Sequence, residues 1–244
     1  MEEKKKNGRR SSSGHPWKEF ESCTTSSWKL SRSRPGVKRS PNMKSIDDTL
    51  KTIQDITSAL PDKINIAITG GVAVILHGVE RTTIDVDFCI YSDSIFNTNT
   101  AEFFSLLTRS LPKRFSARLV QGSKFPDDPF KHDVIFIDDN EGEYERIDLL
   151  IARYKWELEG IEQAVHFDDI PFPVLSKPYL VAMKLQATGY KDYQDVVSLM
   201  SLMTEEEKAK AYELAKRTGR DKKLARLLSR PPEEEVREMP EEYL

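Results

Sequence analysis

The sequence predicts an α/β (α+β) fold, with a small mixed β-sheet, flanking helices and a mainly helical C-terminal region. Three observations carry this reading. Short β-type segments, INIAI (64–68), IDVDFCIY (84–91) and ERIDLLIA (145–152), alternate with stretches of helical spacing. Beyond about residue 155 the pattern turns almost wholly helical. Apolar runs stop at five or six residues, far short of the roughly 18–20 that a membrane-spanning helix needs, which excludes an integral helical membrane protein.

Taken in order, Ser45 with Asp47 and Asp48 opens a first helix whose apolar positions Ile46, Leu50, Ile53, Ile56 and Leu60 follow helical spacing, and Pro61 ends it. A buried strand at 64–68 leads to a tight turn at Gly70-Gly71, and Val72 to Leu76 form a short helix closed by His77-Gly78. A strand at 84–91, a helix around Ala101–Leu111, strands at 117–120 and 134–137 and a strand at 145–152 follow. The helical region includes Ser176–Thr188, Asp192–Met203 and Thr204–Arg217; Thr204 with Glu207 makes a capping box, and Gly219 lies just past the last of these helices.

Charge is divided unevenly along the chain. Of 244 residues with a formal net charge of -3, residues 1–42 hold eleven basic and four acidic side chains, a net +7, and residues 43–244 carry -10. This Ser/Arg/Lys/Pro-rich arm is expected to be disordered and tag-like or non-native, and otherwise to be a basic tail that touches nucleic acid. Residues 43–153 are expected to form the catalytic core, and 154–244 a helical region that completes the site. Two cysteines, Cys23 and Cys89, make neither a disulfide framework nor a metal pattern, which points to a cytoplasmic protein.

The chemistry is concentrated in residues 68–88. Asp85 and Asp87 are two apart on the expected strand, so their carboxylates point to one side and repel each other unless a cation such as Mg²⁺ lies between them. Gly70 and Gly71, without Cβ, let backbone N–H groups approach a phosphate. Asp148, within Arg-Ile-Asp-Leu-Leu-Ile, is the best third acid; Asp133 and Asp138 sit at strand edges and are weaker candidates. Neither GxGxxG nor GxxxxGK[ST] is present, which excludes a dinucleotide-binding turn and a P-loop.

The string Gly-Gly-x-Ala-x-x-x-His-Gly-x-x-Arg-x-Thr-x-Asp-x-Asp over residues 70–87 resembles the signature of the DNA polymerase beta-like nucleotidyltransferase superfamily. Within it, the string resembles the branch of minimal nucleotidyltransferases and AbiEii-type toxins. LVAMKLQATGYKDYQDVVSL (180–199) is similar to that branch's second block, with Tyr190-Lys191 where the family commonly has an Arg. The resemblance implies a nucleotidyltransferase core in which Mg²⁺ is held by Asp85, Asp87 and Asp148. It implies nucleotide contact by Lys184 and a supporting or catalytic acid at Asp192 or Asp195, beside Gly70 and Gly71 at the phosphates. The reaction implied is transfer of NMP from an NTP, such as ATP, to an acceptor hydroxyl on a tRNA 3′ end or a protein, in a toxin–antitoxin setting with a cognate antitoxin. The rival reading is a non-catalytic nucleotide- or partner-binding module of the same fold, and a third is a small-molecule adenylyltransferase. Arg81 could reach a phosphate or pair with an aspartate. His77 reads as a structural cap. The seven basic residues between Lys216 and Arg230 could be a nucleic-acid footprint or a solvated face.

Overall fold

The computed structural model describes residues 44–61, 63–92, 95, 99–124, 131–187 and 189–229. The basic arm, Thr188 and Arg230 lie outside the described residues. Helix α1 (Ile46–Ser58) starts where the capping residues predict: Ser45 accepts from the Asp48 N–H while the Asp48 carboxylate accepts from the Ser45 N–H, and Leu50, Ile53 and Ile56 turn inward. The chain continues through β1 (Ile64–Thr69), α2 (Gly70–Leu76), β2 (Val86–Ser92), α3 (Thr100–Ser110), β3 (Phe115–Val120), β4 (Val134–Asp139) and β5 (Ile147–Ile151). Five helices then follow, α4 (Lys155–Glu162), α5 (Lys177–Lys184), α6 (Tyr190–Ser201), α7 (Glu205–Arg217) and α8 (Asp221–Ser229).

The strands form one mixed sheet in the order β1-β2-β5-β4-β3. Only β2 and β5 run parallel; the other three pairings are antiparallel. Ile68 makes a parallel bridge to Val174, its N–H donating to Pro173 O at 2.8 Å and its carbonyl accepting from Leu175 N at 2.9 Å. That contact closes one edge of the sheet and delivers the chain into α5 beside the end of β1. Phe88, Ile90, Ile147 and Leu149 from the central strands share one buried cluster with Leu180, Val181, Val196 and Leu199 from α5 and α6. The helical half is therefore built onto the sheet through a common apolar core.

Three boundaries differ from the sequence pattern, each for a local reason. Gly70 and Gly71 belong to the first turn of α2 rather than to a separate turn, with Thr69 as N-cap. Strand β2 begins at Val86, so Asp85 precedes it instead of lying within it. Helix α5 stops at Lys184, and just past its end the Lys223 ammonium, from α8, donates to the carbonyls of Leu185 at 2.8 Å and Ala187 at 2.5 Å. Helix α8 was not anticipated from the basic run. Arg217 from the same run forks onto Glu159 at 2.7 and 3.0 Å, so part of this basic run is spent on internal contacts.

The turn after β4 is organised by Asp139. Its carboxylate accepts from Arg114 at 3.0 and 2.8 Å and from the backbone N–H groups of Glu141, Glu143 and Tyr144 at 3.2, 2.8 and 3.0 Å. Burial pushes this carboxyl up, but Arg114 and the backbone donors outweigh it and hold it down at about 2. A folded-state value below the usual one means stability that is fully present above about pH 4 and is lost as pH falls toward 2. Asp139→Asn should remove that segment of the acid-unfolding curve. Asp139→Ala, which strands the turn's donors, should cost about 2 kcal/mol in urea denaturation at neutral pH.

Candidate active site

Strand pairing alone assembles the centre of the site. Thr69, Asp87, Asp148, Phe136 and Arg118 are successive register partners across β1, β2, β5, β4 and β3, forming one row across the whole sheet. Asp87 and Asp148 are neighbours in that row because β2 and β5 are parallel and start together. Asp148 is 7 % exposed. Burial is the largest cause of a raised pKa at both Asp87 and Asp148; repulsion among Asp85, Asp87 and Asp148 adds to it, while Arg146 pulls both down. Lys184 also lowers Asp87.

Arg146 is the residue that sequence reasoning missed. Its Nε and terminal nitrogen donate to the two Asp148 oxygens at 2.5 and 2.6 Å, and a terminal nitrogen lies 3.7 Å from Asp85 Oδ2. Its guanidinium carbon stands 4.8 Å from the Phe136 ring centroid, and Arg118 stands 4.5 Å from the same ring. The usable signal was spacing: Arg146 is two positions before Asp148 on an extended segment, hence on the same face. Among the described residues, no group of three or more His, Cys, Asp or Glu side chains is disposed to hold a metal ion. Asp85 and Asp148 are instead linked through one guanidinium.

The glycines meet the acids directly. Gly70 has φ +62°, and a Cβ there would fall 1.9 Å from Asp87 Oδ2. A Cβ on Gly71 would meet Thr83 Oγ1 at 2.5 Å and an Arg81 terminal nitrogen at 3.1 Å, and the Gly71 N–H donates weakly to Asp87 Oδ2 at 3.4 Å. The missing Cβ atoms thus make room for Asp87, Thr83 and Arg81.

The second group lies on α5 and α6. Lys184 Nζ contacts Asp192 Oδ1 at 2.8 Å and Asp195 Oδ2 at 2.9 Å, and Arg81 donates to Asp195. Burial works against the Lys184 charge, but the two aspartates outweigh it and hold its pKa above the usual lysine value. Thr69 Oγ1 donates to Met183 Sδ at 3.3 Å, so this group is tied to the end of β1. Arg81 therefore takes the aspartate-pairing option left open by the sequence, with an acid of α6. His77 accepts the structural role: its Nε2 lies 2.8 Å from Leu175 O, and burial lowers its pKa. Asp133 accepts from the Gly122 N–H at 2.7 Å, away from this row.

A family model described as AbiEii, nucleotidyl transferase AbiEii toxin, Type IV TA system, matches residues 53–243. No curated protein matches the chain significantly. Solved structures that align with it include the crystal structure of ANT(2")-Ia in complex with adenylyl-2"-tobramycin, at 15% identity and TM-score 0.41 over 70% of this chain and 98% of that one. A solution structure of ANT(2'')-Ia aligns at 16% identity and TM-score 0.39, over 71% and 95%. Terminal uridylyl transferase 4 from Trypanosoma brucei with bound GTP aligns at 15% identity and TM-score 0.31, over 57% and 38%.

Two stability measurements check this geometry. Gly70→Ala places a side chain at positive φ and against Asp87, whereas Gly78→Ala, at φ +92°, has open space around its Cβ. Both should destabilise by at least about 1 kcal/mol through backbone strain, with the larger loss at Gly70. Lys184→Met leaves Asp192 and Asp195 without their shared cation and should lower stability by about 3 kcal/mol even without ligand, which a lysine kept only for nucleotide contact would not do.

Proposed function

The chain belongs to the AbiEii nucleotidyl transferase toxin family, and from that premise we propose a Mg²⁺-dependent enzyme that moves NMP from an NTP to an acceptor hydroxyl and releases pyrophosphate. The observation that carries the reading is the pairing of Asp87 with Asp148 on adjacent parallel strands, with Asp85 beside them. The charge count supports a divalent cation. Among the described residues, the five acids Asp85, Asp87, Asp148, Asp192 and Asp195 are met by the three cations Arg81, Arg146 and Lys184, and the pKa values of Asp87 and Asp148 are raised, by burial first and by repulsion from neighbouring acids as well. These oxygen donors suit Mg²⁺ in type.

As placed, the three acids are not disposed as a ready metal group, because Arg146 occupies both Asp148 oxygens; Asp85, Asp87 and Asp148 would hold the metal once that guanidinium gave way. When bound, Mg²⁺ neutralises triphosphate charge and makes the acceptor hydroxyl easier to deprotonate. The acceptor oxygen bonds to the α-phosphorus, the bond to the bridging oxygen breaks, pyrophosphate carries away that electron pair, and the hydroxyl proton passes to a base. The chain supplies charge and order around this event. Gly70 and Gly71 border the acids where the phosphates would lie, Lys184 adds positive potential to Asp87, and Arg81 with Asp195 joins the loop before Asp85 to α6. The proposed acceptor is a tRNA 3′ end or a protein side chain, and the proposed partner a cognate antitoxin. No described helix is long and apolar enough to cross a membrane.

Incubation with labelled NTPs, Mg²⁺ and either total RNA or cell lysate should transfer label to one acceptor class. The double variant Asp85→Ala/Asp87→Ala should lose at least about 10²-fold in rate. Equal transfer by wild type and variant would overturn the assignment, and nucleotide binding without product would favour the non-catalytic reading.

A further inference from the structure

The acids of the site differ in how they are held. Asp139, elsewhere on the sheet, accepts three backbone N–H groups besides Arg114, so its carboxylate is fixed whatever the arginine does. Among the described residues Asp148 has no such set: Arg146 takes both of its oxygens, at 2.5 and 2.6 Å. Among the described residues Arg146 is held by the acids Asp148 and Asp85 and by the Phe136 ring, with Asp138 adding negative charge nearby. Its side chain is 18% exposed and that of Asp85 22%, so the guanidinium sits at the open side of the cluster. A planar fork matched to a carboxylate is a strong partner, yet it covers the oxygens that a divalent cation would need.

We infer that Arg146 is a positioning residue that serves as a resident counter-cation for Asp148 and Asp85 and makes occupation of the site by a divalent cation depend on nucleotide. This rests on the metal-dependent reading above. Without nucleotide, the guanidinium satisfies the acids and competes with free metal. An incoming triphosphate brings four or so further negative charges and oxygen ligands of its own, so metal and nucleotide together outcompete the arginine where metal alone does not. The acids are thereby kept in register while the site is empty of substrate, since an uncompensated buried pair would repel. Lys184 cannot take this part, because Asp192 and Asp195 already hold it.

The sign of the effect separates this from a merely structural role. Removing a structural support should weaken metal binding, whereas removing a competing cation should strengthen it. Mn²⁺ binding to the full chain is read by electron paramagnetic resonance for wild type, Arg146→Gln and Arg146→Lys, with and without a mixture of the four NTPs carrying a non-hydrolysable α,β-bridge. In the absence of nucleotide, Arg146→Gln should bind Mn²⁺ about tenfold more tightly than wild type, from the loss of one nearby positive charge. Arg146→Lys, a point charge that cannot fork onto both oxygens, should fall between them, and it carries the test alone if Arg146→Gln does not fold. Wild type should gain Mn²⁺ affinity on addition of the NTP analogues, and the difference between the proteins should shrink.

Unchanged or weaker Mn²⁺ binding in the variants, with nucleotide-dependent binding intact in wild type, overturns the inference and leaves the metal-dependent enzyme standing. Absence of Mn²⁺ binding in wild type and variants, even with the NTP analogues, overturns both.

Discussion

Everything in this fold answers to the burial of negative charge at the start of two parallel strands. A parallel β2–β5 pair sets Asp87 against Asp148 in register, with Asp148 buried and Asp87 half-buried, so their charges are only partly screened by water. Parallel strands need a long crossover; here α3, β3 and β4 supply it, and β4 returns to flank β5 on its other side. The sheet order is thus what places two acids that are distant in sequence on adjacent strands.

Cations are delivered to this row from three directions. Arg146 comes from the segment entering β5, Arg81 from the loop entering β2, and Lys184 from the end of α5. Only the last belongs to the helical half, and its placement depends on the edge contact of Ile68 with residues 173–175, which leads directly into α5. The Arg81–Asp195 pair then couples the loop before Asp85 to α6.

Much of this was legible in the chain. The Ser45–Asp48 and Thr204–Glu207 caps are local, so residues three apart announce them. Asp148 stood out because an acid between apolar strand residues is costly to bury without a purpose. What escaped was non-local. No spacing rule shows that Gly70 must lack a Cβ because the Asp87 side chain rests against it, since that approach comes from the β1–β2 pairing. An ion-paired Lys184 is one reading of the sequence beside nucleotide contact, but its partners are not legible there, since the aspartates that hold it are eight and eleven residues on, across a helix break. Arg146 was nearest to being read: it shares a strand face with Asp148, yet a surface arginine at that spacing would look the same in sequence.

The net charge of residues 43–244 bears on how a polyanionic substrate could approach. An acidic body repels nucleic acid at long range, and the basic run of α7 and α8 offsets this only in part, since Arg217 is paired with Glu159 and Lys223 caps α5. Local cations must therefore carry recognition. Arg146 and Lys184 are both engaged by aspartates, so under the proposed function any phosphate contact they made would have to be exchanged for an internal ion pair. Such exchange costs little in net charge but much in geometry. It favours a ligand whose phosphates and metal arrive as one unit over one that presents either alone.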